Sequence, residues 1–444
     1  MAEALRSFFG SARRYVDDPT HKIVLRGALE SISVRVAGVA LSYAATLLLS
    51  RLLGVSDYGR YAIALSWVLV LTLPAKAGFD NSSLRYATVY LERGDGSSLR
   101  AFIRFAAGTV TTLSLGIGLL IYLVGQRIAS VDPKLVVWAA LMVLPLALLA
   151  LYSVLMRTAQ RVIASQFYEQ MLRPALIIVA VTGLTLARER LDAGNALMIT
   201  SLAAFGAFLI LWMHFRRVFG AALRNRPDFT PWREWLAVSV PMLIMGIVQE
   251  LMNHVEIILL GVLANARYAG LFAASWRLAS FVPFAFVGLS TMAAPLIASA
   301  HDRGASDELF RVSALVARIG FAFAAAVTIA LLLAGRWLLS LFGPDFTEAY
   351  RILATLLLGG LVNAFTGIVG YLMILTGREK QSLAIFAGAL VLSIVLNLVL
   401  IPRFGAVGAA VASSSATIAW NLSMLVYVRR TMGIDASALA LPPG

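Results

Sequence analysis

The chain has 444 residues, of which 60% are hydrophobic and only 14% are charged. Soluble domains contain about 45–50% apolar and about 25% charged residues, so this composition excludes a soluble globular enzyme and a disordered protein. The absence of cysteine excludes a disulfide-built fold and a cysteine-ligated metal site. The composition therefore predicts an integral membrane protein.

Twelve apolar stretches are long enough to cross a bilayer as helices. Because backbone groups in lipid must pair within their own segment, these stretches predict membrane-spanning helices. A β-barrel would instead show short segments of alternating hydrophobicity. The expected fold class is an all-α membrane protein, with spans at about 32–53, 60–79, 102–124, 135–156, 168–187, 196–213, 236–260, 268–297, 313–334, 350–376, 382–401 and 405–427.

The net charge of +14 comes from 37 Lys and Arg against 23 Asp and Glu. The basic residues divide unequally between alternate ends of the predicted spans. The loops and termini on the side that includes both chain termini hold 24 of the basic residues, and the loops on the other side hold 10. Cytoplasmic loops carry the excess of Lys and Arg in membrane proteins. Both termini are therefore predicted to be cytoplasmic, and the positive charge is attributed to membrane orientation and not to nucleic-acid binding.

The longest polar stretch between spans divides them six and six. It contains Arg226-Pro227 and Thr230-Pro231, which disfavour a continuous helix. The segment 59–62 at the second span is weakly similar in sequence to the segment 270–273 at the eighth. This similarity indicates two repeats of equal orientation, an arrangement suited to alternating access. The predicted organisation is a cytoplasmic N-terminal segment 1–31, an N-lobe 32–213, a cytoplasmic linker 214–235, a C-lobe 236–428 and a cytoplasmic tail 429–444.

Charged side chains inside the apolar spans are the first candidates for a site, because each costs about 2.5–3.5 kcal/mol at the bilayer centre on insertion scales. Arg35 shares one face of the first span with Ser42, although small residues on that face also fit helix packing. Arg277 lies deep in the eighth span, whereas Lys76 is close enough to a span end to snorkel. We interpret these four residues as candidates that line a substrate cavity. Asn363 of the tenth span is a fifth, with helix packing as the alternative.

The seventh span is the most polar. Glu250 and His254 are four residues apart on one helix face and could share a proton, with Asn253 beside them. These three residues are candidates for ion coupling. The alternative is that Glu250 neutralises Arg35 or Arg277. Glu256 is assigned to headgroup level at the external end, and no metal or cofactor motif is found.

Two segments resemble a known family. Residues 53–62 (LGVSDYGRYA) resemble the first external loop of bacterial Wzx-type polysaccharide flippases, which transport oligosaccharide lipids. Residues 397–410 (NLVLIPRFGAVGAA) resemble a hairpin of the multidrug/oligosaccharidyl-lipid/polysaccharide exporter superfamily. The resemblance extends from about residue 25 to 430.

The resemblance implies two six-helix lobes in a V around a central cavity, in the bacterial inner membrane. It implies a flippase, not an enzyme, that moves an undecaprenyl-pyrophosphate-linked oligosaccharide from the cytoplasmic to the periplasmic leaflet. Membrane lipid, glycosyltransferases and a glycan polymerase are the expected partners, with no cofactor. Related peptidoglycan-lipid flippases carry cavity cations on the spans where Arg35, Lys76 and Arg277 lie.

Two other functions were weighed. A multidrug exporter of the same superfamily would bind organic cations, and a cation-lined cavity disfavours it. A membrane-embedded glycan polymerase or ligase would need a substantial external loop, which the predicted topology lacks.

Overall fold

The structure is a computed structural model that describes residues 19–129, 131–187, 191–220, 226–227, 232–283, 293, 297, 299, 303 and 306–440. These ranges contain helices and turns but no strand, which confirms the predicted all-α class. The helices are α1 Pro19–Lys76, α2 Phe79–Glu92, α3 Gly96–Gly125, α4 Pro133–Thr158, α5 Val162–Gln166, a π-helix Phe167–Leu172, α6 Arg173–Leu186, α7 Ala193–Phe219, α8 Trp232–Leu263, α9 Ala266–Ala279, α10 Ser306–Ser340, a 3-10 helix Pro344–Ala349, α11 Tyr350–Thr366, α12 Val369–Leu375 and α13 Glu379–Met432.

The two longest helices each contain one break. Gly54 in α1 has φ 69° and Gly405 in α13 has φ 57°, a backbone conformation that glycine adopts without the steric cost of a Cβ atom. The breaks fall between the first and second, and between the eleventh and twelfth, predicted spans. We call the segments on either side of Gly54 α1a and α1b, and those on either side of Gly405 α13a and α13b.

Among the described residues, nine helices are long and apolar enough to cross a membrane, and two of these are the divided helices α1 and α13. Helix α9 begins where the eighth span is predicted, but most of that span beyond residue 283 lies outside the described residues. The observed helices are consistent with twelve spans. Residues 1–18 of the predicted N-terminal segment, 221–225 and 228–231 of the predicted linker, and 441–444 of the tail also lie outside the description.

The crossing helices run between two ends of the molecule, which we name by a glycine at each. The Gly54 end includes Gly54, the junction of α8 and α9, and Gly405, which packs against the Tyr268 ring. The Gly78 end includes the junction of α1 and α2 at Gly78, the start of α8, and the end of α13.

Helix α1 joins the N-terminal half of the chain to the C-terminal half, because it packs against α4 on one side and α8 and α9 on the other. The contacts are close enough to require glycine. A Cβ atom on Gly59 would lie 1.7 Å from the Ala266 carbonyl oxygen, and one on Gly78 would lie 2.1 Å from the Ser239 carbonyl oxygen. Such contacts between small residues are how membrane helices gain packing energy where the lipid offers no hydrophobic drive.

The predicted tail is not a free extension, since α13 continues to Met432 and residues 433–440 fold back onto the C-terminal half. The Ala438 N–H donates to the Phe365 carbonyl oxygen at 2.9 Å, and Ala436 is fully buried. Burial raises the pKa of Asp435, but hydrogen bonds from Ser437 and Arg429 outweigh it and hold that pKa below its usual value. Asp435 is therefore ionised at neutral pH and helps to fix this segment.

Candidate functional site

Ser42 and Arg277 meet at the contact between α1a and α9. The Arg277 Nη2 atom donates a hydrogen bond to the Ser42 hydroxyl oxygen, although 235 positions separate the two residues in sequence. Both side chains are partly buried. The sequence proposed them for the same cavity, and the structure brings them together across the two halves of the chain.

Aromatic residues surround this contact on the side of the Gly54 end. The Tyr43 ring packs edge-on against Phe281 and Phe342, with centroids 5.5 and 5.8 Å away. The Tyr43 hydroxyl is buried without a hydrogen-bond partner among the described residues. A buried hydroxyl without a partner carries a desolvation cost, so an acceptor that reached it would be stabilised there.

Arg35 lies two helical turns from Ser42 towards the Gly78 end of α1a. Its side chain is exposed, and it makes no hydrogen bond or ion pair with any part of the chain that the structure describes. Arg35 is therefore not part of the Ser42–Arg277 contact. Its exposure leaves it available to a ligand, and its role in a cavity stays a prediction.

Glu250 and His254 form the predicted pair on α8, with the Glu250 Oε1 atom 3.4 Å from the His254 Nε2 atom. The other ring nitrogen of His254, Nδ1, lies 3.2 Å from the Ser66 hydroxyl of α1b. Asn253, three positions after Glu250 on the same helix, is exposed. The three predicted coupling residues therefore lie together, and His254 connects them to the opposite half of the chain.

Lys76 lies near this pair and not near Arg277. Its ammonium group is 3.4 Å from the Asp80 carboxylate, and its charge acts on Glu250 through space. Both side chains of the Lys76–Asp80 ion pair are only about one-fifth exposed, so the charge of Lys76 is partly balanced at rest.

Asn363 does not contact either group. It is partly buried in α11, where its backbone carbonyl accepts a hydrogen bond from Thr366 at 3.0 Å. Thr366 in turn donates to the buried Asn421 of α13b at 2.8 Å. These contacts fit the helix-packing alternative for this region, and a substrate role for Asn363 stays a prediction.

The expectation for Glu256 is wrong. This residue does not face headgroups but is only 3% exposed, inside the C-terminal half of the chain. Its Oε1 atom accepts a hydrogen bond from the Ser393 hydroxyl at 3.1 Å, and Ser413 also bonds to the carboxyl group. Asn397 donates to Ser393, while its own Oδ1 atom is buried and has no partner within the described part of the chain.

The sequence interpretation placed Glu256 by its position along α8. Span limits that are known only to within a few residues cannot show which face of a helix is buried. The useful signal lay elsewhere. Ser393 and Asn397 are four residues apart on α13a, which places two polar side chains on one face of an otherwise apolar span. A buried carboxyl needs partners of this kind, since an unpaired charge in the interior is costly. No cluster of three or more potential metal ligands is found among the described residues.

The fold is shared with solved membrane transporters. An inward-facing multidrug resistance MATE family transporter of the MOP superfamily aligns with a TM-score of 0.69 over 91% of this chain and 98% of its own, at 13% identity. The lipid II flippase MurJ in an inward closed conformation aligns with a TM-score of 0.67 over 90% and 87%, at 14% identity. A MOP superfamily transporter from Pyrococcus furiosus aligns with a TM-score of 0.65 over 94% and 97%, at 13% identity.

These similarities define the chain as a membrane protein with the fold of the MOP superfamily. The family model for "Polysaccharide biosynthesis protein" matches residues 24–301. The chain therefore belongs to the polysaccharide biosynthesis protein family, as the two sequence segments had indicated. A probable flippase, AglR, of Haloferax volcanii is 26% identical over 198 residues, which cover 43% of this chain and 40% of that relative.

Proposed function

We propose that this protein is a flippase that carries an undecaprenyl-pyrophosphate-linked oligosaccharide from the cytoplasmic to the periplasmic leaflet of the bacterial inner membrane by alternating access. The observation that carries the proposal is the hydrogen bond between Arg277 of α9 and Ser42 of α1a. A guanidinium at the junction of the two halves is where a transporter of this fold would hold an anionic headgroup. Family membership and the similarity to a probable flippase support the same function.

The chemistry of the headgroup explains why a fixed cation is needed. A pyrophosphate that leaves water loses hydration energy, and only opposite charge with good geometry can compensate for it. Arginine offers a planar fork that bonds two phosphate oxygens, whereas lysine offers a point charge. The lipid tail can stay in the bilayer, so only the headgroup needs to pass between the halves.

The test compares glycan export in Arg277→Ala, Arg277→Lys and wild-type chains at matched membrane expression. We expect Arg277→Ala to stop export and to leave lipid-linked precursor on the cytoplasmic side, and Arg277→Lys to restore only part of it. Arg267→Ala is the control, because Arg267 lies on the same helix but pairs with the exposed Glu348 at 2.8 Å. Full export by Arg277→Ala would contradict the proposal.

The same assay separates the alternative within the superfamily. If Arg277→Ala improved the export of organic cations and left glycan export intact, a multidrug exporter would replace the flippase. We place glycosyltransferases before this step, because they complete the lipid-linked glycan, and a polymerase after it. Lys76→Ala should be milder than Arg277→Ala, since Lys76 is already paired with Asp80.

We further propose that Glu250, His254 and Asn253 couple transport to a proton or cation gradient. The support is that His254 contacts Ser66 across the two halves of the chain, so a change of charge on the Glu250–His254 pair would act directly on that contact. Histidine changes charge near neutral pH more readily than any other side chain. The 24-to-10 division of basic residues predicts that both termini are cytoplasmic. Reporter fusions after Arg226 and Arg430 should therefore both report that side.

A further inference from the structure

A second arginine, Arg173, lies inside the predicted span 168–187, although the sequence interpretation did not include it among the candidate site residues. Arg173 follows a π-helical turn, Phe167–Leu172, that interrupts the membrane-crossing segment Val162–Leu186. Such turns are rare and often occur at functional sites. Proline at position 174 explains the interruption, because it has no N–H to donate to the carbonyl of residue 170 and its ring crowds that carbonyl.

Helix α1a packs directly on this irregular turn. A Cβ atom on Gly38 would lie 2.8 Å from the Gln170 Cβ atom and 2.9 Å from its carbonyl oxygen, so only glycine fits there without a shift. Ser42 is one turn further along α1a and accepts the hydrogen bond from Arg277. The π-helical turn and α9 therefore both pack around the same stretch of α1a.

The two arginines also lie at a similar depth in the molecule. At 1.5 Å per helical residue, Ser42, Arg173 and Arg277 are each roughly 16–20 Å from the Gly54 end of their helices. That is near the middle of a hydrocarbon core about 30 Å thick. Neither guanidinium can reach the membrane surface easily from there.

Arg173 is partly buried, and its hydrogen bonding is incomplete. Its Nε atom is inaccessible and has no hydrogen-bond partner among the described residues. The ionisable groups whose fields reach it are Tyr61, Glu169 and Arg277. The Tyr61 hydroxyl is already bonded to Thr200 at 3.1 Å, and the Glu169 carboxylate already accepts from Arg157 at 3.2 Å.

Two arginines, one from each half of the chain, therefore lie along the same stretch of α1a. The Glu169 carboxylate near Arg173 is shared with Arg157. Like charges at mid-depth repel strongly where the dielectric is low. The repulsion becomes attraction for any dianion that bonds both groups. A diphosphate has two phosphoryl groups, each of which can accept a bidentate bond from one arginine.

We propose that Arg173 and Arg277 together bind the pyrophosphate, one phosphoryl group each, and that Arg173 makes the site selective for diphosphate over monophosphate lipids. This inference rests on the proposed function and adds to it a second residue that binds the headgroup and selects diphosphate over monophosphate. A lipid monophosphate bonds Arg277 and leaves Arg173 unpaired. A lipid diphosphate satisfies both arginines and draws the two halves of the chain together at mid-depth.

The test uses the purified full chain in detergent and two probes, undecaprenyl pyrophosphate and undecaprenyl phosphate, whose dissociation constants are measured under the same conditions. We expect the wild type to prefer the pyrophosphate. Arg173→Ala should weaken pyrophosphate binding roughly tenfold to a hundredfold, as loss of a charged hydrogen-bonding partner implies, and change phosphate binding less than about twofold. Arg173→Lys should recover part of the preference, because the charge remains but the fork is lost.

Arg161→Ala is the matched control, because Arg161 is an exposed arginine immediately before the same membrane-crossing segment. It should leave both constants unchanged. In the double variant Arg173→Ala/Arg277→Ala, the loss should be smaller than the two single losses combined, since both arginines hold one ligand.

The outcomes separate this inference from the proposed function. If Arg277→Ala weakens pyrophosphate binding and Arg173→Ala does not, Arg173 is not part of the site, while the flippase proposal stands. If Arg173→Ala weakens both probes equally and lowers the unfolding temperature, its role is structural and the inference is overturned. If the wild type binds neither probe, the proposed function fails together with it.

Discussion

Helix α1 meets the C-terminal half of the chain along two seams that differ in chemistry. The α1–α9 seam includes Ser42, Arg277 and the close contact of Gly59 with Gly270, and its polar group is a cation. The α1–α8 seam includes Ser66 and His254, where the polar group is an acid–base pair. Helix α1 thus meets a fixed positive charge on one neighbour, α9, and a titratable pair on the other, α8.

The seams differ in extent as well. Along the α1–α8 seam, contacts occur near both ends, with Gly261 packed on Ile63 and Gly78 packed on Ser239. The described contacts of the α1–α9 seam lie from mid-depth to the Gly54 end, and Arg35 further along α1a is exposed. Under the proposed function, the α1–α9 seam would admit substrate and the α1–α8 seam would respond to the coupling ion.

The largest effect is expected from Gly59→Ala, which disrupts the packing of the α1–α9 seam at the Gly54 end. The new methyl group would overlap the Ala266 carbonyl oxygen, so the backbones must separate at a cost of about 3 kcal/mol, the upper end of ordinary overpacking. We expect a lower unfolding temperature and no transport. Gly116→Ala is the control, because that site has open space and alanine favours a helix. Equal stability of the two variants would show that this contact is not maintained.

A reversible block should follow from closing the contact between α2 and α8 at the Gly78 end, next to the α1–α8 seam. The hydroxyl oxygens of Ser82 and Ser239 are 2.6 Å apart, and the chain has no cysteine, so Ser82→Cys/Ser239→Cys would form a single defined disulfide. We expect oxidation to stop transport and reduction to restore it, because alternating access requires this end to open. Each single variant serves as the control. Transport that continued in the fully oxidised double variant would mean that the halves do not part here.

The sequence predicted the fold well, because the hydrophobicity of each span and the glycine breaks are local properties. Both Gly54 and Gly405 lie in the segments that resembled the family, and both mark real breaks. The pair of Glu250 and His254 was predictable for the same reason, since four-residue spacing on one helix fixes their proximity.

Contacts between distant helices were less predictable. The burial of Glu256 depends on Ser393 of another helix, and the depth of Arg173 depends on a π-helical turn that no hydrophobic period reveals. Arg277 and Lys76 looked like members of one cationic set, yet they lie at different seams because helix orientation is decided by packing.

The coupling role of the α1–α8 seam is tested by Glu250→Gln. The amide keeps the shape of the side chain but cannot change charge, so we expect transport to lose its dependence on an ion gradient, with a fall of about tenfold or more in the driven rate, while the protein folds and binds lipid. Gln249→Ala, at the neighbouring exposed position, is the control. The measurement is export in vesicles with and without an imposed gradient. If the Gln variant keeps the gradient response, Glu250 serves only to balance the charge of His254 and Lys76.

The smallest effect is expected from Ser42→Ala, which removes the acceptor that holds Arg277 at the α1–α9 seam. Arg277 keeps its charge and can still bind phosphate, so the loss is one of positioning, and we expect export to fall between about twofold and tenfold. Ser50→Ala is the matched control, because the Ser50 hydroxyl bonds only to the Leu47 carbonyl of the same helix at 3.0 Å.

The same Ser42→Ala substitution in an Arg277→Lys background tests whether Ser42 acts through Arg277. Lysine is shorter and lacks the guanidinium fork that donates to Ser42, so Ser42→Ala should have no further effect there. If Ser42→Ala reduced export equally in both backgrounds, Ser42 would act on the substrate itself and not through Arg277.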